Sequence, residues 1–316
     1  MSLILISGKI SKVYFNNVFL KDLKEITTKD GTITLKSMQY DENFHSLSGA
    51  LKETQIKFIN PSLLDRFKDK RLRVLDVCFG LGYNSALLFN NLLSQSSTLD
   101  WFALEIDKEP LQYSIKNNLF RKLWNPKVLT IFESLLLKNI YIDDYFDCKL
   151  IWGDARKGIS SIPQSSYFDL IFLDGFSPQK CPQIWSLEFL SKLTEKLKSD
   201  GYLVTYSSAA AIRKSLIKQG LNIFNIKPSY GTKNRWSNGT VAMKKVTEEN
   251  PFIEKLSIME KEHLKTKASV PYRDREDNSL PKEILRARIE EQHKSKLIST
   301  SNWRKKWGLT KSTLNS

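Results

Sequence analysis

The feature that most constrains the fold is a regular alternation of apolar and amphipathic segments between Arg71 and Lys245. Helix-patterned stretches separate five apolar runs of strand length: RVLDVCF, WFALEI, KLIW, FDLIFLD and GYLVTY. Strands that are buried on both faces are apolar along their length, and strands joined through helices tend to run parallel. The alternation therefore predicts an α/β fold with a mainly parallel, Rossmann-like sheet.

The flanking segments divide the chain into three parts. We predict a β-rich part followed by a helix over 1–70, a Rossmann-like domain over 71–245 and a basic helical extension over 246–316. In the first part, the Asp30-Gly31 pair between two β-prone runs predicts a hairpin with a two-residue type I′ turn. The segment HSLSGALKETQIKFINP predicts a helix stopped by Pro61, and PKEILRARIEEQHKSKL predicts a helix in the last part.

The charge balance favours a polyanionic partner. Lysine and arginine number 49 against 34 aspartates and glutamates, a formal charge of +15. Such a surplus attracts nucleic acid more readily than it attracts a membrane. Residues 246–316 carry 15 basic and 11 acidic residues, so most of the surplus lies in residues 1–245.

Cysteine and histidine are sparse, and no targeting signal is evident. Three separated cysteines and three histidines form no metal-binding or disulfide pattern. The opening MSLILISGKISKVYF lacks a basic start and a cleavage-like site, and no apolar run approaches the roughly 20 residues of a membrane span. We expect a cytoplasmic protein with no membrane or metal partner. Whether it is a monomer is left open by the sequence.

A glycine-rich turn follows the first apolar run. In VLDVCFGLGYN, Gly80 and Gly82 open a helix, where glycine lets the backbone approach a ligand and the helix N-terminus offers free N–H groups. Ser85 replaces the third glycine of a dinucleotide motif, which makes a nucleotide pyrophosphate less favoured. Asp76 with these glycines has the appearance of a methyltransferase first motif, and a plain strand–helix turn is the alternative.

Two acidic residues follow the next strands. Glu105 ends a strand 23 residues past Gly82, where a carboxylate can accept the ribose hydroxyls of an adenosine-type ligand. Asp154 follows a further strand and either accepts a hydrogen bond from an adenine amine or caps the turn after it.

The most specific segment is FDLIFLDGFSPQKCPQIW. A buried strand ends there in Asp174, with Phe176 and prolines beyond it. A carboxylate at a sheet edge can orient an amine and receive its proton, and prolines hold the loop in one shape. An acid that merely caps the core is the alternative.

With these residues in view, the chain resembles the MnmC-like methyltransferases, which methylate the 5-aminomethyl group of 5-aminomethyl-(2-thio)uridine at the tRNA wobble position. The likeness runs from about Thr27 to Lys245 and rests on these strings: DGTITLKSMQYDENFHSLSGALKE, CFGLGYN, DGFSPQKCPQIW, LVTYSSAAAIRKSLIKQG and NGTVAM. It implies a Rossmann-like methyltransferase fold with added N-terminal strands, S-adenosylmethionine as cofactor and tRNA as partner.

The resemblance also implies roles for individual residues. Asp174 and Phe176 would meet the incoming aminomethyl group as the catalytic residues, with Tyr206 and Ser207 on the same side of the sheet. The motifs and the resemblance together predict nine cofactor-binding residues: His45, Ser46, Gly49, Asp76, Gly80, Gly82, Asn84, Glu105 and Asp154.

Alternatives to this assignment concern the domain content and the chemistry. Some bacterial members carry a fused flavin-dependent oxidase domain, but the 71 residues after Lys245 resemble no second dinucleotide fold and are too few for one. We therefore expect the stand-alone methyltransferase form.

Two other functions are alternatives to methyl transfer. An aminopropyltransferase of the spermidine-synthase type would need a more acidic pocket. A non-catalytic RNA-binding module would not need the glycine and Asp174 motifs.

Overall fold

A central sheet of nine strands organises the part of the chain that the computed structural model describes, which comprises residues 22–95, 97–165, 167–228, 237–246 and 249–309. The strands are β1 Leu23–Thr27, β2 Ile33–Ser37, β3 Glu42–Asn43, β4 Arg71–Val77, β5 Thr98–Glu105, β6 Ile140–Ile142, β7 Phe146–Trp152, β8 Phe168–Leu173, β9 Leu197–Thr205, β10 Asn222–Ile226, β11 Thr240–Met243 and β12 Ile253–Lys255. The helices are α1 Ala50–Thr54, α2 Asn60–Ser62, α3 Tyr83–Leu93, α4 Glu109–Lys116, α5 Asn118–Arg121, α6 Pro126–Lys138, α7 Ala155–Gly158, α8 Leu187–Lys196, α9 Ala210–Lys218, α10 Ile258–His263, α11 Pro281–Lys294 and α12 Thr300–Lys306.

The order of the strands matches a Rossmann-like arrangement. The sheet runs β12-β10-β11-β9-β8-β4-β5-β7-β6. Its five middle strands are parallel and correspond to the five predicted apolar runs. Strand β11 runs antiparallel to both of its neighbours. The predicted α/β sheet is therefore confirmed, with antiparallel strands added towards both edges.

The core explains why the middle strands are apolar throughout. Val74 of β4 packs in one hydrophobic layer with α3 and α6, and the next residue, Leu75, packs in the other with α8 and α9. Since both faces of the sheet are covered, both sets of alternating side chains leave water.

A separate three-stranded sheet, β1-β2-β3, precedes the central sheet. The predicted hairpin is confirmed, but the predicted two-residue type I′ turn is wrong. The last paired residues are Thr27 and Ile33, and a further hydrogen bond of 2.8 Å joins Thr28 N to Thr32 O. Only Gly31 of the central pair has a positive φ, because Asp30 instead accepts hydrogen bonds from Thr28 and Thr32 and holds a wider turn.

The helix that leads from this hairpin continues past the predicted stop. Pro61 lies inside α2, and the helix ends at Leu63, whose φ of 49° is left-handed. A π-helical turn over Gln55–Ile59 comes just before Pro61. Its shifted hydrogen-bond register accommodates a residue that has no N–H to donate.

The segment after Lys245 extends the central sheet. Strand β12 pairs antiparallel with β10, and the buried Arg213 on α9 bonds Glu260 on α10. The predicted helix near the C-terminus is confirmed as α11. Residues before and after position 245 are therefore in direct contact, and the domain boundary at residue 245 stays a proposal.

Two further expectations concern membranes and targeting. Among the described helices, none has the length and apolar character needed to traverse a bilayer. The apolar opening of the chain, residues 1–15, lies outside the described residues.

Candidate active site

A cavity of about 640 Å³ opens where β4, β5, β8 and β9 end. Parallel α/β sheets bind their ligands outside these carboxyl ends, and cavities of roughly 300–1,000 Å³ hold small molecules and cofactors. Its wall combines the N-terminal sheet, the glycine-rich turn and the loop after β8. The N-terminal sheet region contributes Phe44, the glycine-rich turn contributes Gly80, and the loop after β8 contributes Phe176. Glu105, at the end of β5, also lines the cavity.

A side chain at either glycine of the turn would meet a different part of the structure. Gly80 lines the cavity with φ at 56°, and a Cβ atom there would lie 3.3 Å from Phe44 Cδ1. Gly82 is the N-cap of α3, and a Cβ atom there would lie 2.7 Å from Phe132 Cε2. Gly80 therefore keeps the cavity wall open, whereas Gly82 allows the helix to pack against the core.

Glu105 connects the end of β5 to the glycine-rich turn. Its Oε2 accepts a hydrogen bond of 2.7 Å from Gly80 N, and its Oε1 accepts from Ile106 N and Asp107 N. Burial raises the pKa of Glu105 above its ordinary value, while these N–H groups act in the opposite direction. A carboxylate has about four acceptor positions, so capacity remains for a ligand hydroxyl.

Asp174 follows the last residue of β8 and lines the same cavity. Asn84 Nδ2 donates to Asp174 Oδ2 at 2.7 Å, and Thr54 Oγ1 donates to Asn84 Oδ1 at 3.0 Å. Burial, reinforced by the negative charge of Glu53, raises the pKa of Asp174 to about 8. Asn84 therefore orients the carboxyl group whose proton affinity the fold has increased.

A charged pair that sequence analysis missed faces Asp174. Glu53 and Lys57 lie one helical turn apart, and Lys57 Nζ is 2.5 Å from Glu53 Oε1. Both line the cavity, and Lys57 Nζ lies 5.7 Å from the ring centroid of Tyr206. Burial opposes the ionisation of Glu53, but Lys57 holds the pKa of that carboxyl below its ordinary value. In the sequence, such a pair looks like an ordinary exposed helix pair.

An aromatic cluster forms another part of the wall. The ring of Phe176 stacks on Tyr40, with centroids 4.5 Å apart, and meets Phe44 edge-on at 4.9 Å. Glu42 joins the two parts of the chain because it accepts hydrogen bonds from Ser177 N and Ser177 Oγ, at 2.8 and 2.5 Å. The string YDENF, which carries three of these residues, stands out in the sequence only through the family resemblance.

The structure brings together six of the predicted site residues in the cavity wall: His45, Ser46, Gly80, Glu105, Asp174 and Phe176. Among them, His45 is held neutral because burial lowers its pKa to about 4. Its Nδ1 lies 3.1 Å from Thr34 Oγ1.

The other predicted cofactor residues lie outside the lining of this cavity: Gly49, Asp76, Gly82, Asn84 and Asp154. Gly49 is the N-cap of α1. Asp76 accepts a hydrogen bond of 2.6 Å from Ser85, and burial raises the pKa of Asp76 to about 7.

Asp154 caps the helical turn that follows it, which was the structural alternative to a role in binding adenine. It caps α7 through Arg156 N at 2.9 Å and pairs with the guanidinium of Arg156 at 2.6 Å. Its contact with an adenine stays a prediction.

Known proteins resemble this chain in both sequence and structure. Residues 119–245 match the family described as S-adenosyl-L-methionine-dependent methyltransferase. The crystal structure of MNMC2 from Aquifex aeolicus is 30% identical, with a TM-score of 0.75 over 86% of each chain. The uncharacterized protein MJ0670 of Methanocaldococcus jannaschii is 30% identical over 302 residues, which cover 90% of this chain and 78% of that protein.

A longer relative shares only part of its length. The tRNA 5-methylaminomethyl-2-thiouridine biosynthesis bifunctional protein MnmC of Leptospira interrogans is 26% identical over 235 residues, or 67% of this chain. The matched region spans 34% of that bifunctional protein.

Fold, cavity and comparisons agree on one type of chemistry. No group of three histidine, cysteine or acidic side chains suited to a metal ion occurs within the described ranges. The cofactor is S-adenosylmethionine, and the reaction type is methyl transfer. The comparisons thus favour methyl transfer over the two alternatives, aminopropyl transfer and non-catalytic RNA binding. This chain belongs to the MnmC-like family of S-adenosylmethionine-dependent methyltransferases.

Proposed function

We propose that this enzyme methylates the 5-aminomethyl group of a wobble 5-aminomethyl-(2-thio)uridine in tRNA. The observation that carries the proposal is the half-buried Asp174 carboxyl group, which shares one cavity with the aromatic ring of Phe176 and with Glu105. The name of the bifunctional MnmC relatives supports the choice of a modified tRNA uridine as substrate.

The cavity suits the cofactor on chemical grounds. Bound S-adenosylmethionine supplies an electrophilic methyl group on a positively charged sulfur. Glu105 would accept the ribose hydroxyls, and Gly80 leaves room beside Phe44 for the ligand to approach the backbone. Ile106, an apolar side chain that is 66% exposed at the cavity wall, offers a surface for the adenine ring.

Asp174 would manage the proton of the amine. An alkylammonium with a pKa near 10.4 has no free electron pair, so it must lose a proton before its nitrogen can attack a methyl group. Transfer of that proton to a carboxylate with a pKa of about 8 costs about 3 kcal/mol, against about 9 kcal/mol for an ordinary aspartate. The burial of Asp174 therefore makes it a better proton acceptor for this substrate.

Positioning accounts for the other contacts. Asn84 would hold the carboxyl group towards the amine through its bond to Oδ2. Phe176, packed between Tyr40 and Phe44, would offer an aromatic surface to the flipped uracil, as aromatic side chains do for unpaired RNA bases. The neutral amine would then form its new bond to the methyl carbon while the sulfur keeps the electron pair of the broken bond.

The test supplies purified enzyme with labelled S-adenosylmethionine and tRNA that carries 5-aminomethyluridine. We expect label in the methylaminomethyl nucleoside after digestion and chromatography. Asp174→Asn should reduce kcat at least about 100-fold, the scale of general base catalysis, and leave cofactor affinity nearly unchanged. Asp41→Asn is the matched control, because Asp41 is a 68% exposed residue of the N-terminal sheet region.

A second RNA separates methyl transfer from other steps. The carboxymethylaminomethyl form should give no methylaminomethyl product, because removal of the carboxymethyl group requires oxidation. Failure to methylate any 5-aminomethyl tRNA would refute the proposed function. Normal turnover in the Asp174 variant would leave that residue with a structural role only.

A further inference from the structure

A second cleft lies on the opposite side of the central sheet from the layer packed with α3 and α6. It measures about 520 Å³ and is formed by α9, the segment after α10 and the end of α11. Four lysines line it, accompanied by a single acidic side chain: Lys214, Lys218, Lys265, Lys294 and Glu291.

The charges of these lysines are not neutralised by ion pairs. Within the described part of the chain, none of the four forms an ion pair, whereas Lys192 of the neighbouring helix α8 pairs with Asp277. Lysines at the last turn of a helix favour its dipole, which explains Lys218 and Lys294. It does not explain Lys214 in the middle of α9 or Lys265 in the segment after α10.

We propose that this cleft binds the phosphodiester backbone of the RNA substrate at a distance from the wobble nucleotide. The inference rests on the proposed function, since it takes a tRNA as the substrate. Four positive charges opposed by one carboxylate attract a chain of phosphates. Lysine is a hydrated point charge without the planar fork of arginine, so it contacts phosphates without demanding one geometry.

The position of the cleft suits a long polyanion. Strands β9 and β10 both run antiparallel to β11, so they are parallel to each other and α9 must lead from the cavity edge back to the other edge. Lys214 and Lys218 lie four and eight residues past the start of α9, or roughly 6 and 12 Å along its axis. An RNA with one nucleotide in the cavity would have to continue along this face to reach them.

The test compares Lys218→Gln/Lys265→Gln with Lys122→Gln/Lys138→Gln. The second pair gives the same charge change at two exposed lysines in the α5–α6 region, on the other layer of the molecule. Binding of whole tRNA is measured by fluorescence anisotropy from about 50 to 200 mM salt, beside methylation kinetics.

In the cleft variant we expect KM and Kd for tRNA to rise roughly tenfold at physiological salt, with kcat unchanged. The slope of log Kd against log salt should fall by about 2, one unit for each phosphate that the variant no longer neutralises.

Three results would overturn the inference. They are an equal loss in both double variants, an unchanged salt slope, and tripolyphosphate binding that the cleft variant abolishes while tRNA binding stays normal. The last result would indicate a site for a small polyphosphate. A wild-type enzyme that binds tRNA through the cleft but methylates no RNA would refute the proposed function and leave the cleft inference standing.

Discussion

At the scale of single residues, the properties of Asp174 come from its surroundings. The carboxyl group is half-buried just after β8, receives one hydrogen bond from Asn84 and faces the negative charge of Glu53. Burial and a nearby like charge both favour the protonated acid, and together they raise the pKa of Asp174 to about 8. An acid in this state changes its charge within the pH range in which the enzyme can be assayed.

The first prediction at this scale concerns the pH profile. Because the carboxylate is the form that accepts a proton, kcat/KM for the tRNA should rise with pH and level off above about 8 at low cofactor concentration. A bound sulfonium favours the carboxylate, so saturating S-adenosylmethionine should move the inflection to lower pH. Steady-state rates between about pH 6 and 9.5 would measure both profiles.

The same variant supplies a control for that profile. Asp174→Asn should lose the inflection near pH 8 and retain only the titration of the substrate amine. Its folding should also respond less to pH. A raised pKa means that the folded protein binds more protons than the unfolded chain between about pH 4 and 8, so wild-type stability falls across that window. An inflection that persists in the variant would assign it to another group.

At the scale of elements, a buried ion pair between α10 and α9 connects the segment after Lys245 to the central domain. Glu260 and Arg213 have side chains that are 4% and 2% exposed, and Nη1 of the arginine lies 2.9 Å from Oε1 of the glutamate. Arg213 also donates to Thr240 Oγ1, and Asn225 donates to Glu260 Oε2. The ion pair thus joins α9 to α10, and the hydrogen bonds around it connect both helices to strands β10 and β11.

The prediction for this element compares two glutamates of α10. Glu260→Gln leaves a buried guanidinium without its counter-charge and should lower the free energy of unfolding by about 3 kcal/mol. Glu262→Gln removes a pair with the exposed Lys306 and should change stability little, since such pairs are screened by solvent. Urea unfolding of both variants would measure the difference, and equal losses would contradict it.

At the scale of the whole molecule, the proposed boundary at residue 245 separates parts that are in contact. Strand β12 covers the outer edge of β10, and Arg156 on α7 reaches across to Asp274 at 2.6 Å. Arg156 also holds Asp154, so the segment after residue 245 supports the region beside the candidate cofactor site.

Two truncations would test how far this dependence extends. A chain of residues 1–245 leaves the β10 edge unpaired and Arg213 buried without Glu260, so we expect it to be poorly soluble and to bind S-adenosylmethionine weakly. A chain of residues 1–280 keeps β12, Glu260 and Asp274 and should fold and bind the cofactor. Soluble yield, thermal unfolding and calorimetry would compare them. A stable, cofactor-binding 1–245 chain would instead support an independent domain.

Much of the site could be predicted because the relevant signals are local in sequence. A strand covered on both faces must be apolar along its length, which located the five middle strands. Ligands lie at the carboxyl ends of such strands, which placed Gly80, Glu105 and Asp174 around one cavity. For these residues, the strand pattern and the residue type were sufficient.

Only the tertiary structure decided the rest, because those contacts join distant parts of the chain. Asn84 and Asp174 are separated by 90 positions, and nothing local shows that the amide would orient the acid instead of lining the cavity. Glu53 and Lys57 have the spacing of a surface pair until the helix is laid against the site. The raised pKa of Asp174 likewise follows from burial and from the charge of Glu53, which are properties of the packed molecule and not of the residues themselves.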